Sequence, residues 1–117
     1  MSLHTAAERV TLELEHPFTI ARGTQERAEN VIVTVEDDDG VVGVGGAAPS
    51  AHYGETADTV EAVLPSLLSI VEEIDDPFQL ERIERRMRGQ VNHNPAARCA
   101  VSIALHDLVA KRLELPL

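Results

Sequence analysis

The chain has 117 residues, 44% of them hydrophobic, with twenty Asp and Glu against ten Lys and Arg and a formal net charge of −10. That length suits one domain and that apolar fraction a real core, which excludes a disordered chain, while the acid excess excludes a nucleic-acid partner or an anionic membrane surface. No run approaches the ~20 apolar residues of a membrane helix, no basic-then-apolar leader opens the chain, and the lone Cys99 has no internal disulfide partner, so a cytoplasmic setting is expected.

Strands occupy the first half. Val10, Leu12 and Leu14 alternate with Thr11, Glu13 and Glu15, the period of a half-buried strand. The segment His16 to Glu29 follows; it is too long for a tight hairpin and reads as a long loop, unusually apolar at Phe18 and Ile20. Val31, Val33 and Val35 then repeat the strand pattern, Asp39-Gly40 supplies a hairpin turn, and Val41 to Val44 forms the returning strand. The acidic run Glu36 to Asp39 lacks the spaced oxygen ligands and closing glutamate of a calcium loop and reads as a solvated turn. Gly43 and Gly45 sit at alternate positions in or just after a strand and lead to Ala48-Pro49 rather than into a helix. They therefore mark close approach of another backbone, not a phosphate loop.

Helices occupy the second half. Val60, Val63, Leu64, Leu67, Leu68 and Val71 make one amphipathic stripe, capped by Thr56 or by Asp58 with Glu61, and Pro65 is expected to end or kink this helix near Leu64. Asp76-Pro77 begins a second helix, with Gln79 completing a capping box and Leu80, Ile83 and Met87 inward. Asn94-Pro95 begins a third through Ala97, Val101, Ala104, Leu105 and Leu108. The fold class expected is α+β, a three-stranded antiparallel sheet followed by a three-helix bundle on one of its faces.

Catalytic machinery is not visible in these residues. None of the five histidines pairs with another at i+3 or i+4, so no metal site is expected, and His106-Asp107 on a helix point apart. Cys99, among Ala and Ile, reads as a buried small hydrophobe. Two segments do carry mixed apolar and polar groups: Pro17 to Thr24, with Phe18, Ile20 and Arg22, and Ala47 to Glu55, with His52 and Tyr53. On such segments these side chains either hold a small ligand, Arg22 clamping a carboxylate, or simply pack beneath the loops.

The runs PFTIARGT, ENVIVTVEDDDGVVGVGGAAPSAHYGET and AARCAVSIALHDLVAKRLELPL, in this order and spanning Val10 to Leu117, resemble the N-terminal capping domain of the enolase superfamily. The closest branch contains muconate cycloisomerases, o-succinylbenzoate synthases and dipeptide epimerases. The resemblance implies a single capping domain over residues 1–117, cut before a C-terminal (β/α)8-type barrel that carries the catalytic lysines and the acids holding Mg2+. It implies that this piece is inactive and binds no Mg2+ itself. Its partners would be its own barrel and a small carboxylate substrate, in a homo-oligomer, with Phe18, Ile20, Arg22, His52 and Tyr53 as candidate substrate contacts. Gly46 stands where that family usually carries a glutamate, so no particular activity is assigned. The alternative is a standalone module using the same loops to bind a small acid or a protein. The near absence of lysine beside an even spread of acids adds the expectation of a halophile-type solvating coat.

Overall fold

The computed structural model describes residues 2–20, 23–48, 56–91 and 95–114, with the backbone alone described for 12–20 and 23–28. Three antiparallel strands, β1 (His4–Ile20), β2 (Gly23–Glu36) and β3 (Val42–Ala47), lie in the sheet order β1-β2-β3. Three helices follow, α1 (Ala57–Ile74), α2 (Leu80–Gln90) and α3 (Pro95–Arg112). This is the α+β order expected from the alternating first half and the helical second half.

The segment expected as a long loop is mostly sheet. Ile20 pairs with Gly23, Thr19 with Thr24 and Phe18 with Gln25. After an irregularity between Glu13 and Phe18 the pairing continues from Glu13–Arg27 to His4–Glu36. Pairing lets the facing edges of the two strands satisfy each other's backbone groups, and β-branched and aromatic residues at 18–20 and 24 favour it. Pro17, which has no N–H to donate, falls within the irregularity.

In β2 the expected alternation holds, with Val31, Val33 and Val35 fully buried. β3 inverts the usual pattern: Gly43, Gly45 and Ala47 face inward, while Val44 is exposed. The cause is α3, which presents Ala97, Ala100 and Ala104 to the sheet. A Cβ at Gly43 would stand 2.0 Å from the Ala104 carbonyl oxygen, and one at Gly45 2.0 Å from that of Ala100. Close approach of another backbone, expected from the glycine spacing, is therefore what these residues permit.

β3 is an edge strand, and α3 closes its open side. The Val44 N–H donates to Asp107 Oδ2 at 2.9 Å, and Lys111 Nζ donates both to the Val42 carbonyl and to Asp107, each at 2.8 Å. These bonds hold the Asp107 carboxyl below its usual range, Lys111 contributing most and the Val44 N–H next. They occupy groups that would otherwise be free to pair with another chain. Asp107→Ala is expected to cost about 1–2 kcal/mol of stability. It should also raise self-association, measured by urea midpoint and light scattering; a variant as stable and as monodisperse as the parent would remove the edge-closing role.

Helix α1 runs through Pro65 without ending there. Pro65 lies on the exposed face, where water can satisfy the carbonyl it leaves unpaired. Beyond it Leu67, Leu68, Ile70 and Val71 are buried, and that burial continues the helix. Thr56 caps α1, its hydroxyl accepting from the Thr59 N–H while Thr59 Oγ1 accepts from the Thr56 N–H, so the capping partner is Thr59 rather than Glu61. Helix α2 starts at Leu80, three residues later than expected. Asp76 instead forms a turn, accepting from the Phe78 N–H at 2.9 Å, and Gln79 makes no side-chain cap. Pro95 opens α3 as expected; Asn94 lies outside the described residues.

Two further expectations are corrected. Cys99 is exposed, not buried, because the inward stripe of α3 runs through Ala97, Ala100, Val101, Ala104, Leu105 and Leu108 and leaves 99 on the opposite face. Asp37 is not solvated: among the described residues it is the one charged residue that is buried. Its Oδ1 accepts from the N–H groups of Asp39 and Val41 at 2.9 and 3.0 Å, and its Oδ2 from Arg112 at 2.6 Å. The turn beside it contains Gly40 at φ +82, a left-handed conformation that suits glycine.

Candidate functional site

The candidate site is the end of the sheet at which the β1–β2 ribbon and the connection after β3 leave it. Ala47 pairs with Val31, and Val31 with Arg9, so β3 stops at that level while β1 and β2 continue to the Ile20–Gly23 pair. Because β3 runs antiparallel to β2, its C-terminal end points toward that pair. The described parts of the two candidate segments, 17–20 with 23–24 and 47–48, thus lie toward the same end of the sheet. Phe18 and Ile20 are strand residues in the ribbon, opposite Gln25 and Gly23. Arg22, His52 and Tyr53 lie outside the described residues.

Both ends of the second segment are anchored. On one side Ala47 is buried in the sheet. On the other, the Thr56–Thr59 capping box fixes the start of α1, and Arg9 of β1 grips the helix through Asp58 and Glu61, with Glu29 of β2 at 3.8 Å. The hydrogen bonds to Asp58, then to Glu61, raise the Arg9 guanidinium above its ordinary pKa, so it stays charged throughout the working range. Sequence reading missed this clamp. A lone arginine on a strand carries no signal until the fold places an i, i+3 acidic pair of a distant helix beside it.

His106 and Asp107 do not form a dyad. The His106 ring meets the Ser102 carbonyl through Nδ1 at 2.7 Å, whereas Asp107 serves β3 and Lys111. Among the described residues no three of His, Cys, Asp and Glu group as a metal site, and no helix is long and apolar enough to cross a membrane. What this end of the sheet offers among the described residues is the end of the β1–β2 ribbon beside the end of β3.

A three-stranded antiparallel sheet whose edge is closed by the last of three helices defines the class, an α+β domain. Residues 2–117 match the family described as mandelate racemase / muconate lactonizing enzyme, N-terminal domain, and the chain belongs to that family. It is similar to the L-Ala-D/L-Glu epimerase of Bacteroides thetaiotaomicron, 41% identical over 106 residues that cover 90% of this chain and 27% of that protein. It is 36% identical over 107 residues to the L-Lys-D/L-Arg epimerase of Desulforapulum autotrophicum, covering 91% of this chain and 30% of the relative. Among solved structures, a dipeptide epimerase from Enterococcus faecalis V583 complexed with Mg and the dipeptide L-Leu-L-Tyr superposes with a TM-score of 0.87 at 28% identity, over 97% of this chain and 32% of the other. A 2-chloromuconate cycloisomerase from Rhodococcus opacus 1CP superposes with a TM-score of 0.88 at 26% identity, again over 97% and 32%. The chain thus spans about 30% of the length of the curated relatives it matches.

Proposed function

We propose that this chain is the substrate-covering, specificity-determining domain of an Mg2+-dependent isomerase or lyase of the epimerase and cycloisomerase kind. In this reading the chemistry resides in a C-terminal barrel beyond residue 117. The observation that carries it is that the β1–β2 ribbon and the C-terminal end of β3 lie toward one end of the sheet, in a chain that spans about 30% of its relatives. A domain of this shape contributes by excluding water and orienting the substrate. Phe18 and Ile20 supply apolar contact from the ribbon, His52 and Tyr53 line the second segment, and Arg22 pairs with a substrate carboxylate. The proton transfers and the Mg2+ ligands belong to the barrel, where the metal would offset charge developing on the substrate carboxylate. The whole protein acts on a small carboxylate, of which a dipeptide is the leading class, as a cytoplasmic homo-oligomer.

The first test is the mass of the native protein in its source cells, read by immunoblot against this domain. A band near roughly 40 kDa fits the 117 residues plus a barrel of about 250. A band at the size of this chain would reject the enzyme reading in favour of a standalone binding module. In the whole protein, Arg22→Ala is expected to raise KM for the carboxylate substrate by about tenfold or more while leaving the fold intact. An unchanged KM would remove Arg22 from the site. The acidic coat further predicts a thermal midpoint that rises with KCl as self-repulsion is screened, and a falling midpoint would contradict the halophile reading.

A further inference from the structure

The cations of this acidic chain are not evenly placed. Residues 79–98 hold five arginines against two glutamates, net +3, while the remainder holds five cations against eighteen carboxylates, net −13. Arg82 and Arg86 are engaged, with Gln79 at 3.1 Å and Glu73 at 3.0 Å. Arg88 and Arg98 form no ion pair with the described residues, and both line a crevice of about 200 Å³ between α2 and α3.

Three features give this crevice a chemistry. Arg98 Nε is buried without a hydrogen-bond partner, although a desolvated guanidinium donor ordinarily has one. Arg98 also lies in the first turn of α3, where the positive helix end disfavours a cation and favours an anion, and no acidic residue occupies that turn. Glu84, the one carboxylate among the described residues lining the crevice, already accepts a hydrogen bond from the Ser102 hydroxyl at 2.6 Å. Among the described lining residues, two arginines against one glutamate leave a single uncompensated positive charge. Met87 and Pro95 complete the lining with apolar surface.

We propose that the α2–α3 crevice binds a small organic monocarboxylate. Its carboxylate takes the Arg98 and Arg88 guanidiniums, and its hydrocarbon end lies against Met87 and Pro95. A single negative charge matches the residual charge of the lining, whereas a phosphate dianion would face Glu84 with excess charge. The volume admits a molecule of a few carbons and not a folded partner.

Cys99, the chain's single cysteine, lines the same crevice and is exposed, so its alkylation reports occupancy without any catalytic turnover. The probe is sodium butyrate, with iodoacetamide as a neutral thiol reagent and ionic strength held constant with NaCl. Butyrate is expected to slow alkylation saturably, by about tenfold at ten times its dissociation constant, and n-butanol to leave the rate unchanged. Arg98→Gln should abolish the protection. Arg88→Gln, an exposed position on α2 whose replacement leaves the core untouched, should raise the butyrate concentration needed by about tenfold and keeps the test decisive if Arg98→Gln misfolds. No saturable slowing, equal slowing by butanol, equal protection by inorganic phosphate, or protection indifferent to both substitutions would each overturn the proposal.

Discussion

Gly43→Ala and Gly45→Ala are each expected to destabilise the domain by about 3 kcal/mol, the upper end for overpacking, and the double variant is expected not to fold. The reason is geometric. The added Cβ would meet backbone, the Ala104 carbonyl oxygen in one case and that of Ala100 in the other, each at 2.0 Å, and backbone cannot swing aside as a flexible side chain can. Relief requires moving α3 away from β3. That would break the Val44–Asp107 and Val42–Lys111 bonds and open the interface that buries Ala97, Ala100, Val101 and Ala104. Against a typical stability of about 5–15 kcal/mol, such a loss should lower the thermal midpoint by roughly 10 °C or more. Gly46→Ala is the control. Its Cβ would have only Ile32 Cδ1 within 4 Å, at 3.6 Å, and should change the urea midpoint by no more than about 0.5 kcal/mol equivalent. Equal effects at 43, 45 and 46 would mean that strand propensity, not helix approach, sets these positions.

Asp37→Ala is expected to cost about 2–3 kcal/mol, because it strands the Asp39 and Val41 N–H groups and leaves Arg112 with only the exposed Asp39 carboxylate. Burial by itself would push the Asp37 carboxyl up. The hydrogen bond from Arg112, those from the Val41 and Asp39 N–H groups and the Arg112 charge together outweigh it and hold the pKa below the ordinary value. The sign follows. A carboxyl with a lower pKa folded than unfolded contributes stability above its unfolded pKa, about 3.9, and loses that contribution as pH falls through the folded value. Asp37→Asn keeps an oxygen acceptor but not the charge. The stability difference between parent and Asp37→Asn should therefore be constant above about pH 5 and shrink below about pH 4, measured by urea denaturation across pH. A difference that stayed constant down to pH 2 would show that the ionised state of Asp37 contributes nothing. Asp107, whose pKa is also depressed, titrates in both proteins and cancels in the comparison.

The sheet-then-helices order, the inward faces of β2, α1, α2 and α3, the turn at Gly40 and the purpose of Gly43 and Gly45 were all readable along the chain. Each rests on a periodicity or on a backbone demand local to a few residues. The Val31-Val33-Val35 face and the stripe from Val60 to Val71 are set by the period of their own element, whichever partner covers them. The candidate segments were recognisable by composition alone, as apolar and polar residues mixed between strands. What tertiary structure decided is whatever depends on a distant residue. Pro65 stays within α1 because the residues after it are buried by the rest of the core. Asp37 is a core carboxylate rather than a solvated one because the fold returns Arg112 to it across 75 positions. Residues 16–20 and 23–29 are strand rather than loop because β1 and β2 pair along their facing edges, a pairing neither strand specifies alone. Cys99 faces outward because small residues at 97, 100 and 104 let α3 settle against two glycines of β3. In each case sequence set the local preference, and a long-range contact, whose energy appears only once the chain has closed, determined whether that preference prevailed.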